Sequence, residues 1–325
     1  MAEKFHTLLL LALPASGKSE VRKFLTNTTP DLFHMGPTIQ LDDYPYVHLQ
    51  IRVDEEVEKL GLPRLYHDED GGPFRAGTDW GALIRLLNED YAEVLSGKAE
   101  NPQFAAKRLF QRFDDASERA GGPRRIGELP ANVQAIVETK LEDEARAHFA
   151  EKAAQIPASL DGHTIVIEFA RGGPEGATKP LPLNYGYAGS LRHMDRSILE
   201  RAAVLYIWVS PEESRRKNRE RARPDGAGSI LFHGTPERVM FEEYGTDDME
   251  YLLQTSPVPD TIRIEPEGGP ILIPTVRFDN REDLTTFVRG DAATWAKEDV
   301  DKLYGGIREA CDRLWTAYTG LKNVR

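Results

Sequence analysis

Apolar residues along this chain fall into two kinds of pattern. Residues 7–13 (TLLLLAL), 164–169 (TIVIEF) and 204–209 (VLYIWV) are unbroken runs rich in β-branched, leucine and aromatic side chains. Runs without alternation predict strands buried on both faces, as in a parallel sheet. Weaker segments at 38–41, leading into Asp42-Asp43, and at 274–278, leading into Asp279-Asn280, complete a set of about five expected strands. Between them the spacing becomes helical. Trp80, Leu83, Ile84, Leu87, Tyr91, Val94 and Leu95 follow Asp79 as a cap and stop at Ser96-Gly97. Asn101-Pro102 reads as a second helix start. Pro130 opens a long helix through Val133, Ile136, Val137, Leu141 and Phe149. Near the C-terminus Leu303, Ile307, Cys311, Leu314, Trp315 and Tyr318 form another stripe, weakened in its first turn by Gly305-Gly306.

Strands alternating with helices predict an α/β fold, with a parallel sheet joined by right-handed crossovers. One gap is too long for a crossover: about 120 mostly helical residues separate Asp43 from Thr164. Residues 44–160 are therefore expected to form a helical insertion on the substrate side, above the strands' carboxyl ends. Residues 1–43 and 161–325 would supply the core.

Composition narrows the class. The chain has 325 residues, 40% hydrophobic and 29% charged, which fits a soluble globular protein. A net charge of −12 argues against gripping a nucleic-acid backbone, although one basic cleft on an acidic body remains compatible with it. Cys311 is the only cysteine, which excludes an internal disulfide and a cysteine-built zinc site. The apolar run at 8–13 is too short to span a bilayer and leads straight into a loop motif, so a buried strand explains it better than a signal peptide. A cytoplasmic protein without membrane attachment is expected, and the sequence leaves its oligomeric state open.

That motif is residues 12–19, ALPASGKS. A phosphate loop requires a strand, a glycine-permissive turn, a lysine, a hydroxyl residue and a helix, with loop N–H groups and the helix N-terminus facing phosphate. Pro14, Ala15, Ser16 and Gly17 would supply the cradle, with Lys18 on the β- and γ-phosphates and Ser19 on Mg²⁺. Glu20, Val21, Phe24 and Leu25 follow as a helix. Ala12 stands where the usual pattern has its first glycine.

Other segments add chemistry. Asp42 and Asp43 end the second strand, where a carboxylate can take a proton from an acceptor hydroxyl or help hold magnesium. Glu168, near the end of the third strand, needs a cation or hydrogen-bond donors if buried, and so suits ordering Mg²⁺. Arg171 follows at the mouth, available to an anionic substrate or the moving phosphoryl group, or paired with Glu168. After the fourth strand, Ser210-Pro211-Glu212-Glu213 starts a helix carrying five arginines within nine residues. Arg215, Arg219 and Arg223 share a face and Arg216 lies close to it, an arrangement whose guanidinium forks suit phosphate oxygens.

Together these segments resemble the P-loop kinases of the nucleoside and nucleoside-monophosphate kinase type. The resemblance covers residues 5–43 and 164–284 and leaves the insertion and the C-terminal helices unmatched. It implies a P-loop NTPase fold and an ATP- and Mg²⁺-dependent transfer to a small-molecule acceptor. It further implies that the arginine segment is a lid over ATP, and that the 278–284 loop with Asn280 lies near the adenine. Two other readings stay open: a polynucleotide end kinase, and a nucleotide-dependent switch acting through protein partners. The acceptor is unnamed by the sequence; Tyr66, Phe74 and Trp80 are candidates for stacking on it. The eight histidines show no metal-ligand spacing.

Overall fold

The computed structural model describes residues 4–221 and 234–322. Six strands form one mixed sheet in the order β2-β3-β1-β4-β6-β5. The strands are β1 Thr7–Leu11, β2 Thr38–Asp42, β3 Thr164–Phe169, β4 Ala202–Trp208, β5 Thr261–Ile264 and β6 Ile271–Asp279. All pair in parallel except β5, which returns antiparallel along β6. The sheet thus has one strand more than the sequence pattern predicts. β5 escapes that reading because it has only four residues, Thr-Ile-Arg-Ile, of which Arg263 faces out.

Side-chain alternation splits the sheet into two faces. Leu9, Leu11, Ile39, Leu41, Ile165, Ile167 and Val204 turn to one core. It is covered by α3 (Thr78–Ser96), α6 (Gly186–Leu191), α7 (Arg196–Leu199) and α10 (Met249–Thr255). Leu8, Leu10, Val166, Leu205, Ile207 and Val276 turn to the other, under α1 (Lys18–Thr26) and the long α11 (Lys297–Lys322). Leu303, Ile307, Cys311 and Leu314 are fully buried there, and burial pushes the Cys311 thiol up to about 12. Gly305 and Gly306 lie inside α11; Gly306 lets the helix approach the Phe278 ring, which a Cβ would meet at 2.8 Å.

Between β2 and β3 run α2 (Tyr44–Lys59), α3, α4 (Ala105–Arg119) and α5 (Ala131–Gln155). They enclose a third core of Tyr46, Leu49, Val53, Leu83, Leu86, Leu109, Phe113, Val137 and Leu141. α3 is apolar on two sides. Ile84, Leu87 and Tyr91 face the sheet, whereas Trp80, Leu83 and Leu86 face the helical core. A helix hydrophobic around so much of its circumference must be buried on both sides, and α3 joins the two layers. α8 (Pro211–Arg221) follows β4 and α9 (Glu237–Glu242) precedes α10, whereas a 3-10 turn at Pro30–Phe33 lies at the amino ends of the strands, where Phe5 N donates to His34 O at 2.8 Å.

Candidate functional site at the carboxyl end of the sheet

β1 lies between β3 and β4, so the connection from β1 to β2 and the connection from β3 to β4 run in opposite directions across the sheet. The crevice at such a reversal, beyond the strands' carboxyl ends, is where open α/β sheets receive ligands. The 12–17 loop lies there, between β1 and α1. Its backbone is sharply turned at Ala15 (φ 55°) and Gly17 (φ 101°). Gly17 is needed twice over: its φ is in the left-handed region, and a Cβ would lie 2.5 Å from Thr285 Oγ1.

The loop's carbonyls are held while its amides are not. Pro14 O accepts from Ser214 Oγ at 2.6 Å and from Ser16 Oγ at 3.4 Å. Ser16 O accepts from Asn280 Nδ2 at 2.8 Å, and Gly17 O accepts from Val21 N at 2.8 Å. By contrast, the backbone N–H groups of residues 15–20 donate to no acceptor among the described residues, and Gly17 gives α1 no side-chain cap. Ser16 and Gly17 are buried, and buried N–H groups without partners are rare. Half-buried Ser19 belongs to the same first turn.

Acidic side chains gather beside the loop because of strand register. Asp42 on β2 and Leu10 on β1 both pair with Glu168 on β3, so Asp42 and Glu168 are neighbours on the face that α1 covers. Glu168 is buried and meets Arg22 NH1 at 3.1 Å. Lys18 reaches back to Ala12 O at 3.4 Å. Desolvation lowers the proton affinity of its amine, while Glu168, Asp42 and Asp43 oppose that shift. Asp42 is held at about 7, first by desolvation and then by Asp43 and Glu168.

The two adjacent aspartates differ in their partners. Asp43 is buried and ion-paired with Arg171 NH1 at 2.6 Å. Asp42 is half-buried and, among the described residues, accepts only from Tyr44 N, at 2.9 Å. Arg171 is itself closed in. Its Nε donates to Ser190 Oγ at 2.7 Å, its NH1 to Ala170 O, and its guanidinium covers the Trp80 ring at 4.6 Å. Arg171 is therefore paired with Asp43, not with Glu168, and with 1% exposure it is inaccessible to an anionic substrate in this conformation.

The arginine helix is also distributed differently from its sequence pattern. Arg215 meets Glu175 at 2.9 Å and lies over Phe241; Arg216 meets Glu213 at 2.6 Å and also pairs with Glu220. Arg219 is exposed, 3.4 Å from Glu237, and Arg223 lies outside the described residues. Arg221 is the one that interacts electrostatically with Lys18, Glu20 and Tyr44. The helical-face argument passed it over because it is out of phase with Arg215 and Arg219. Glu20 is buried against Arg289 at 2.7 Å, which leaves it little access to a nucleotide.

The proposed stacking residues are likewise covered. Tyr66 is buried in the helical core against Phe113, with the Arg125 guanidinium over its ring at 5.1 Å. Phe74 stacks on His67 at 4.6 Å, and Trp80 lies edge-on to Phe74 and Tyr244. These aromatic rings serve packing, because the insertion folds over them. Two participants were not singled out from sequence: Ser214, which ties α8 to Pro14, and Arg22, which faces Glu168. Neither belongs to a motif; only the packing of α8 and α1 on the sheet brings them in.

Among the described residues no group of three or more His, Cys, Asp or Glu is arranged to hold a metal ion, and no helix is long and apolar enough to cross a membrane. No protein-family model matches the chain, and no curated protein or solved structure does either.

Proposed function

We propose that this chain is an ATP-dependent phosphotransferase of P-loop kinase architecture, moving the γ-phosphoryl group to a small-molecule acceptor. The observation that carries the reading is the run of backbone N–H groups at residues 15–20 that find no acceptor among the described residues, opening α1 beside Lys18. Such amides, with the positive end of the helix behind them, favour an anion of several oxygens. Lys18 adds a point charge to the β/γ side of that anion.

Mg²⁺ suits the donor set. Magnesium commonly takes one or two carboxylates, with substrate phosphates and water completing its shell, so a closed protein cage is unnecessary. Glu168 and Ser19 would hold it, directly or through water, which leaves Asp42 for the acceptor. When bound, it supplies positive charge that neutralises the phosphate oxygens.

Of the residues at the mouth, Asp42 suits the acceptor proton. Asp43 is neutralised by Arg171, while Asp42 has no cationic side chain bonded to it among the described residues and a raised proton affinity. Transfer then breaks the bond from the γ-phosphorus to the β–γ bridging oxygen and forms one to the acceptor oxygen. The acceptor's proton passes to Asp42, and ADP leaves. Lys18 and the loop amides stabilise the charge that builds on the leaving oxygen. Arg221 is the member of the arginine helix best situated to add to them.

The test is ATP-to-ADP conversion by purified protein across a panel of nucleosides, nucleotides and sugar alcohols, with Lys18→Ala as control. Acceptor-stimulated turnover in the wild type and none in the variant is expected. Normal activity in Lys18→Ala, or ATP hydrolysis indifferent to every acceptor, would overturn the assignment.

A further inference from the structure

Asn280 follows β6 and is fully buried. Every polar part of it is engaged within the protein. Its backbone N–H donates to Trp208 O at 2.8 Å, fixing it to the exit of β4. One amide proton goes to Ser16 O at 2.8 Å, the other to Thr285 Oγ1 at 2.9 Å, and Oδ1 accepts from Leu284 N at 2.8 Å. This side chain has no amide proton left for a nucleobase.

Its contact with Ser16 has a geometric consequence. In a trans peptide the C=O and the next N–H point in opposite directions. A Ser16 carbonyl pinned toward Asn280 turns the Gly17 N–H away from it, to the side where that N–H meets no acceptor among the described residues. The same pocket wall enforces glycine, since a Cβ on Gly17 would lie 2.7 Å from Asn280 Nδ2 and 2.5 Å from Thr285 Oγ1. The wall is braced in turn. Asp283 takes Lys217 of α8 at 2.8 Å and the Thr286 hydroxyl at 2.8 Å, and Lys23 of α1 donates to Gly290 O at 2.8 Å.

We infer that Asn280 is a positioning residue for triphosphate binding, one that sets the Ser16–Gly17 peptide plane so that the Gly17 amide faces phosphate. The inference rests on the phosphotransferase reading and departs from a base-contacting role for this residue. Loss of the amide would leave the Ser16 carbonyl unpaired and the peptide free to rotate, weakening phosphate binding rather than base binding.

Calorimetric titration with ATP, inorganic tripolyphosphate and adenosine separates these roles. In Asn280→Leu, which keeps about the same volume and loses the donor without adding charge, ATP and tripolyphosphate should both weaken by about tenfold or more, with adenosine unchanged. Thr285→Val, which keeps the volume and Asn280, should weaken both by a smaller factor, and it guards against misfolding of the first variant. An unchanged tripolyphosphate affinity in both folded variants overturns the inference while leaving the kinase reading intact. So does a loss confined to adenosine and ATP, which would make Asn280 a base contact. Wild-type protein that binds neither ATP nor tripolyphosphate overturns the phosphotransferase reading itself.

Discussion

Two regions of this molecule bury charge, and they do it in opposite ways. In the helical insertion the charges close on one another. Asp90 accepts from Tyr46 Oη and Arg112 at 2.7 Å and pairs with Lys152. Asp114 accepts from the amides of Arg125, Ile126 and Gly127, and Asp54 does the same for Leu65, Tyr66 and His67. At the carboxyl end of the sheet the same chemistry is left open. The amides of residues 15–20 have no acceptor among the described residues, and desolvation, then the charges of Asp43 and Glu168, raises Asp42 to about 7. Groups that satisfy one another hold a fold together, whereas groups that converge without satisfying one another define a seat for something else.

If that contrast is right, substitutions in the two regions should separate activity from stability. The largest effect is expected for Lys18→Ala, with turnover falling on the order of 10³-fold. Its thermal midpoint should be unchanged or higher, because a buried amine costs desolvation. Asp90→Ala should do the converse. It leaves Arg112 and Lys152 buried without their shared carboxylate and destabilises by about 3–5 kcal/mol in chemical denaturation, with activity per folded molecule retained.

Asp42→Asn should cost roughly 10²-fold in kcat with the KM for ATP little changed, as expected for loss of a proton acceptor. An equal loss in Asp43→Asn, with the Arg171 pairing still formed, would erase the distinction between the two aspartates.

Glu243 tests the boundary between the regions. It follows α9, accepts from Phe74 N at 2.9 Å, and burial raises its carboxyl from 4.5 to about 8. The folded protein therefore binds this proton more tightly than the unfolded chain. Stability should fall as pH rises from about 4.5 through 8, then level off, with Glu243→Gln flattening that slope by a few kcal/mol in pH-dependent unfolding. The smallest effect is expected for Arg219→Ala, an exposed pair contributing within about 0.5 kcal/mol. A large loss of turnover there would mean that α8 rearranges over the bound nucleotide.

Much of the scaffold was legible in the linear pattern. The unbroken apolar runs marked β1, β3 and β4 because strands covered on both faces have no polar side to alternate with. Helical spacing located α3, α5 and α11 for a similar reason, although Asn101-Pro102 precedes the helix that starts at Ala105, and Asp79 pairs with Arg125 inside α3 instead of capping it. That helices, α2 to α5, fill the long stretch between β2 and β3 was expected from its length alone. What the pattern could not give was the orientation of long side chains. Arg171, Arg215 and Arg216 read as phosphate ligands by position, and the structure pairs each with a carboxylate: Asp43, Glu175 and Glu213.

The local chain determined which residues build the 12–19 loop, since a turn followed by Gly17-Lys18-Ser19 is a property of contiguous residues and their backbone freedom. Tertiary structure decided everything that depends on residues far apart in sequence. β2–β3 register made neighbours of Asp42 and Glu168, and Arg171 made Asp43 different from Asp42. It also carried Asn280 across 264 positions to the Ser16 carbonyl. Each of these rests on strand pairing, hydrogen bonds or an ion pair between distant residues, contacts that leave no trace in composition or periodicity.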